Sequence, residues 1–331
     1  MTPAIVGVAG PVLLADEAAL LRRHRPAGVI LFRRNVEDPA QLAALVGALR
    51  QALPAEAVLM VDQEGGRVAR LRPPHWAGHP PAAAFGAVFA RDPAAGVRAA
   101  FVDGALIGAQ TAQAGFDVVA APVLDVRQPT THDAIGDRAF AAEPEAVGRL
   151  GRAFAAGLLA AGVQPVGKHA PGHGRATADS HLALPVVEGG DLDADVTPFV
   201  LNADLPWAMT AHILYPAWDA VFPATLSATV IEAVIRGRIG FQGVLVTDDL
   251  AMHALNGPPA QTARAALLAG CDIALYCAGD FAPTEAMLAA CPPMTPAAAR
   301  RLAKARALAA ARRVALDVGV LSAERDRLLA S

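Results

Sequence analysis

Four short apolar runs in this 331-residue chain end in side chains capable of acid, base or nucleophilic chemistry. Residues 57–61 run into Asp62, followed by Gln63, Glu64, two glycines, Arg67 and Arg70. Residues 164–168 end in Lys168, with His169 next; 207–210 lead to His212; 243–247 are followed by Asp248 and Asp249. Each has an ordinary structural explanation alone. An acidic residue after a strand often caps the next helix, and a lone histidine usually sits satisfied in a core. Together they describe a pocket, because parallel strands that end on one face build their sites there.

The stretch 168–185, KHAPGHGRATADSHLALP, holds four Gly or Pro residues and three histidines and reads as a long loop after a strand. His169, His173 and His181 offer metal ligands. Against that, the chain has no HExxH pattern and no CxxC pair, and Lys168 beside His169 would repel a dication. The competing chemistry is an Asp-x-His step. The Asp179 carboxylate can hold one imidazole nitrogen of His181, aim the other outward and favour the protonated ring. That makes a general acid/base on a loop. Asp248 would be its partner nucleophile, and the two suit glycosyl transfer with retention. An anion attacks the anomeric carbon while a proton donor serves the leaving oxygen. Asp62 and Arg70 would then hydrogen-bond sugar hydroxyls, and Lys168 and His169 further oxygens.

Such residues need a scaffold that brings distant strand ends together. Strand-like runs occur at 5–9, 28–32, 57–61, 117–121, 164–168, 207–210, 243–247 and 273–277, mostly continuous rather than alternating, as buried parallel strands are. Helical patterns separate them. Asp38-Pro39 opens one carrying Leu42, Leu45, Val46, Leu49 and Leu53; Pro144 precedes Val147, Leu150, Phe154 and Leu158; Ser227 precedes Val230, Ile231, Val234 and Ile235. About eight β-then-α units predict an α/β fold, a (β/α)8 TIM-type barrel, with a doubly wound open sheet as the alternative. With no low-complexity linker or internal repeat, residues 1–331 read as a single domain.

Composition removes several classes of function. Hydrophobic residues make up 54% and charged residues 18%, so the chain is expected to fold, and a formal net charge of −3 offers no general nucleic-acid surface. Cys271, Cys277 and Cys291 are too few for a disulfide framework and fit reduced thiols in the cytoplasm. The longest early apolar run, residues 4–15, contains two glycines and a proline. It falls short of the ~20 residues of a spanning helix, and Met1-Thr2-Pro3 lacks the basic start of a signal peptide.

Longer motifs carry a family likeness. GVILFRRN at 28–35, VDQEGGRVARLR at 61–72, APVLDV at 121–126, IGDRAF at 135–140, KHAPGHG at 168–174, DSHLALP at 179–185, MTAHILYP at 209–216, GVLVTDDLAM at 243–252 and CDIALYC at 271–277 occur in this order. The chain resembles glycoside hydrolase family 3, in its bacterial β-N-acetylhexosaminidase branch. The resemblance implies a retaining exo-enzyme that removes terminal N-acetylglucosamine from peptidoglycan fragments in the cytoplasm, without cofactor or metal. It implies Asp248 as nucleophile and His181, supported by Asp179, as acid/base. Asp62, Arg70, Arg138, Lys168 and His169 match sugar-binding positions. It also implies a catalytic barrel with no second α/β domain. The expected partner is a small carbohydrate or muropeptide, with no nucleic acid and no membrane, and the expected state is a monomer. Two other readings of the strand-end residues stay open: a phosphorylase using the same site, since a histidine acid/base does not repel phosphate, and a metal-dependent amidohydrolase barrel.

Overall fold

The computed structural model describes every residue except Thr130, Asp179, His181, Asn256 and Ser331. Eight parallel strands close into a barrel: β1 (Thr2–Val6), β2 (Pro26–Leu31), β3 (Val58–Val61), β4 (Val118–Val119), β5 (Gln164–Ala170), β6 (Trp207–Thr210), β7 (Val244–Asp249) and β8 (Ile273–Tyr276). Closure is set by β1, where Ile5 pairs with Gly28 of β2 on one side and Leu275 of β8 on the other. The open-sheet alternative is thereby excluded.

The helices are α1 (Ala15–His24), α2 (Pro39–Ala52), α3 (Ala82–Arg91), α4 (Pro93–Gln113), α5 (Pro144–Ala160), α6 (Leu192–Leu201), α7 (Pro259–Ala269), α8 (Phe281–Ala290), α9 (Pro296–Arg312) and α10 (Val318–Ala330). Asp38 starts α2 as expected, its Oδ1 accepting the N–H groups of Ala40 and Gln41 at 2.9 Å, with Pro39 in the first turn. Leu42, Leu45 and Leu49 of α2 and Val147, Leu150, Phe154 and Leu158 of α5 are buried against the barrel. Each such side chain contributes roughly 1.5–3 kcal/mol by leaving water. Between β6 and β7 the segment Val230–Arg238 winds in wide π-type turns, capped by Ser227 Oγ, which accepts the Val230 N–H at 3.0 Å.

Inside the barrel, Ile5, Ile30, Met60, Val118, Val166, Trp207, Val246 and Ile273 fill the axis, and Leu302 and Ala305 of α9 close its lower end. Trp207 is satisfied there by donating to Gln164 Oε1 at 2.9 Å. The packed axis leaves the polar ends of β5 and β7 at the C-terminal face of the barrel.

Several strands depart from expectation: β1 lies at Thr2–Val6 rather than 5–9, and β7 runs on to Asp249, so that Asp248 and Asp249 stand inside it. The run 117–121 forms a regular strand only at Val118–Val119; Pro122 has no N–H to offer, and pairing with β5 resumes past it as a single bridge between Val123 and Lys168. The run 164–168 extends to Ala170, so Lys168 and His169 stand within the strand end rather than beyond it.

Candidate active site

The chain leaves β3 at Asp62 and folds into a hairpin, Gln63–Gly65 against Val68–Ala69. Gly65 and Gly66 turn it at φ of 98° and 53°. A Cβ at Gly65 would also lie 2.4 Å from the Pro80 carbonyl oxygen, so only glycine fits. Gln63, fully buried, holds the hairpin closed: its Nε2 donates to the Leu71 carbonyl at 2.9 Å, and its Oε1 accepts the Arg70 and Leu71 N–H groups at 2.8 and 3.0 Å. Arg70 is thus turned back over Asp62, 2.9 Å from Asp62 Oδ2.

Lys168, at the end of β5, joins two carboxylates. Its Nζ lies 2.6 Å from Glu64 Oε1 and 3.1 Å from Asp62 Oδ1, and Arg138 grips both Glu64 oxygens at 2.8 Å. Burial alone would push both carboxyls up. The cations outweigh it: Lys168 and Arg70 hold Asp62 far below its ordinary range, and Arg138 and Lys168 bring Glu64 down to about 2. The unfolded chain binds protons at these groups near 3.8 and 4.5, the folded chain only at lower pH. Their stabilisation is therefore complete above about pH 5 and lost as pH falls toward 2. Melting temperature followed from pH 7 to pH 2 is expected to drop in that window. Glu64→Gln is expected to lower it at pH 7 and flatten the acid fall, since the neutral amide has no such proton to take up.

A second buried carboxylate organises the start of the long loop. Asp125 Oδ2 lies 2.7 Å from His169 Nδ1, while Oδ1 accepts the His169 and His173 N–H groups at 3.1 and 2.7 Å. His169 is thereby oriented through Nδ1. Gly174 permits the close passage of this loop, since a Cβ there would fall 1.8 Å from the Val126 carbonyl oxygen.

The paired aspartates at the end of β7 are not equivalent. Asp249 Oδ1 accepts the N–H groups of Ala251 and Cys277, both at 2.9 Å, which ties it to backbone, and burial raises its pKa. Asp248 is half-buried and accepts the Asp249 N–H at 2.8 Å. Burial pushes its carboxyl up too, but His169, His212 and Lys168 nearby, with that N–H, bring it below the ordinary value. His212 lies beneath. Its Nε2 is 3.0 Å from the Asp249 carbonyl oxygen, an acceptor only, so Nε2 carries a proton, and its Nδ1 lies 2.7 Å from Thr225 Oγ1, which donates to the Ala211 carbonyl at 3.0 Å. Burial lowers the His212 pKa, against the pull of Asp248 and Asp249.

A cavity of ≈ 170 Å³ opens above these groups. Asp62, Arg70, Arg138, Lys168, His169 and Asp248 all line it, drawn from three strand ends, the hairpin after β3 and the 133–138 segment. Asp179 and His181 lie outside the described residues. Ser180 between them lines the cavity, its Oγ 3.3 Å from His173 Nε2. Glu64, Asp125 and Gln63 were not singled out from sequence. Glu64 stood in view two residues after Asp62, and Asp125 inside APVLDV. Only the fold reveals that each faces a cation or an imidazole. Among the described residues no three His, Cys, Asp or Glu side chains gather as a metal site, and no helix is long and apolar enough to cross a membrane.

Comparison with known proteins gives a consistent set of relatives. The sequence profile of the glycosyl hydrolase family 3 N terminal domain matches residues 9–315. A protein named beta-hexosaminidase from Alkalilimnicola ehrlichii is 42% identical over 286 residues, 83% of this chain and 80% of that protein. The crystal structure of NagZ from Neisseria gonorrhoeae in complex with N-trifluoroacetyl-D-glucosamine superposes with a TM-score of 0.86 at 30% identity, covering 99% of this chain and 97% of that one. A beta-N-acetylhexosaminidase from Beutenbergia cavernae superposes with a TM-score of 0.75, also at 30% identity, covering 97% and 96%.

Proposed function

The chain belongs to glycosyl hydrolase family 3, and we propose that it is a retaining exo-β-N-acetylhexosaminidase that removes terminal N-acetylglucosamine. The observation that carries this reading is the asymmetry of the aspartate pair. Asp248 stays ionised at the cavity beside His169 and above His212, while Asp249 is spent on backbone N–H groups. An anion so held can attack the anomeric carbon and form a glycosyl ester. The proton for the leaving oxygen comes from His181, oriented by Asp179; Ser180, between them in the sequence, lines the cavity.

The charged network serves as the sugar clamp. Each carboxylate oxygen of Asp62 has two acceptor directions and meets one cation, so sugar hydroxyls can donate to the remainder. Lys168 uses two of its three N–H donors on Asp62 and Glu64 and has the third for substrate. Because the partners are fixed before substrate arrives, little ordering cost accompanies binding. A cavity of ≈ 170 Å³ has room for a sugar ring, in keeping with action on a terminal residue. The proposed natural substrate is a peptidoglycan fragment ending in N-acetylglucosamine.

The test is incubation with aryl β-N-acetylglucosaminide and aryl β-glucoside in parallel, without added metal. Release from the first, with the β-anomer as first product by NMR, is the expected result. A requirement for metal, sugar 1-phosphate as the product when phosphate is added, or preference for the glucoside would each contradict a stated part of the reading.

A further inference from the structure

Arg67 stands at the tip of the hairpin that carries Glu64 and is not among the residues lining the sugar cavity. Its side chain is 48% exposed, yet it is heavily engaged. Nη2 donates to the carbonyl oxygens of Ala134 at 2.9 Å and Ile135 at 3.2 Å and also contacts that of Asp133, while Nε donates to Asp137 Oδ1 at 3.1 Å. Three successive carbonyls therefore turn toward one guanidinium. Gly136, at φ 46°, then reverses the chain so that Arg138 can point back and grip Glu64. The hairpin and segment 133–138 hold each other through two arginines aimed in opposite directions. Ile135 and Arg138 of that segment form part of the cavity wall.

We propose that Arg67 is a positioning residue for substrate binding: by gathering the 133–135 carbonyls it sets Ile135 and Arg138 at the wall of the sugar cavity. Nη2 faces the carbonyls while Nε of the same rigid plane holds Asp137, whereas a lysine presents a compact charge on a flexible stem. The carbonyl contacts, rather than the exposed pair with Asp137, do the holding, since exposed ion pairs contribute little. The inference rests on the cavity being the sugar site, so two readouts are needed.

In the full chain, Arg67→Ala is expected to raise KM for the aryl N-acetylglucosaminide about tenfold, equivalent to ~1.4 kcal/mol, with kcat changed less than about threefold. Arg67→Lys should recover part of the KM, and Asp137→Asn should change it less than about threefold. Hydrogen exchange supplies the readout that needs no activity: the amides of Ile135 and Gly136, bonded to the His132 carbonyl, and of Arg138, bonded to that of Ile135, should exchange faster in Arg67→Ala. Unchanged exchange there overturns the inference whatever the activity. Faster exchange with an unchanged KM overturns it as well, because the segment would then be held without consequence for the substrate. A wild-type chain inactive on the sugar would sink the functional reading, while the exchange comparison would still decide whether Arg67 holds the wall.

Discussion

Asp248→Ala is expected to lower kcat on the order of 10⁴-fold, about 5.5 kcal/mol of transition-state stabilisation, with folding retained. The methyl group leaves no anion to form the glycosyl ester, and the hydrogen bond lost with the carboxylate is the one from the adjacent Asp249 N–H. Asp249 makes the matched comparison. Asp249→Asn keeps an oxygen to accept the Ala251 and Cys277 N–H groups, so it should fold and keep kcat within about tenfold of wild type. Parallel kinetics on both variants decide between neighbours that are chemically identical in the sequence. A 2-deoxy-2-fluoro glycosyl donor with a good leaving group should trap the ester, and peptide mass spectrometry should find it on the peptide containing Asp248. Label on Asp249, or near-normal turnover by Asp248→Ala, would reverse the assignment.

The reason these two aspartates could be ranked only in part from sequence is instructive. That one of them ends a barrel strand follows from the apolar run 243–247, and the eight such runs correspond to the eight strands. Continuous apolar runs are a one-dimensional signal, and a parallel barrel strand, buried on both faces, produces it directly. What distinguishes Asp248 from Asp249 is long-range: the Cys277 N–H comes from β8 and His212 from the end of β6. No spacing within the motif encodes those partners. The same holds for Glu64, which reads as one acidic residue among several until Arg138 and Lys168 are brought to it from 74 and 104 residues away. The ends of β4 at Val119 and of β5 at Ala170 depart from their apolar runs for local reasons. A proline interrupts a ladder inside an apolar run, and a polar side chain does not stop one when its tip reaches a cavity.

The acid/base assignment gives the other large effect, and it depends on the leaving group. His181 must protonate the departing oxygen in the first step and accept a proton from water in the second. An alkoxide or sugar oxygen leaves poorly, so without that proton the first step is slowed on the order of 10²–10⁴-fold. A nitrophenolate departs unaided. With it, His181→Ala should form the glycosyl ester at close to the wild-type rate and accumulate it, because hydrolysis of the ester still lacks its base. The expected pattern is therefore a severe loss on a disaccharide, a burst followed by slow turnover on the nitrophenyl sugar, and a low apparent KM in the latter case. Asp179→Asn keeps the imidazole but removes the carboxylate that favours its charged form. The His181 pKa should fall, the protonated acid should be lost at lower pH, and the alkaline limb of kcat/KM should move downward. Equal losses on both leaving groups, with melting temperature unchanged, would mean that His181 does not carry the proton. A shared collapse of stability in both variants would instead mean that the pair ties the loop to the barrel.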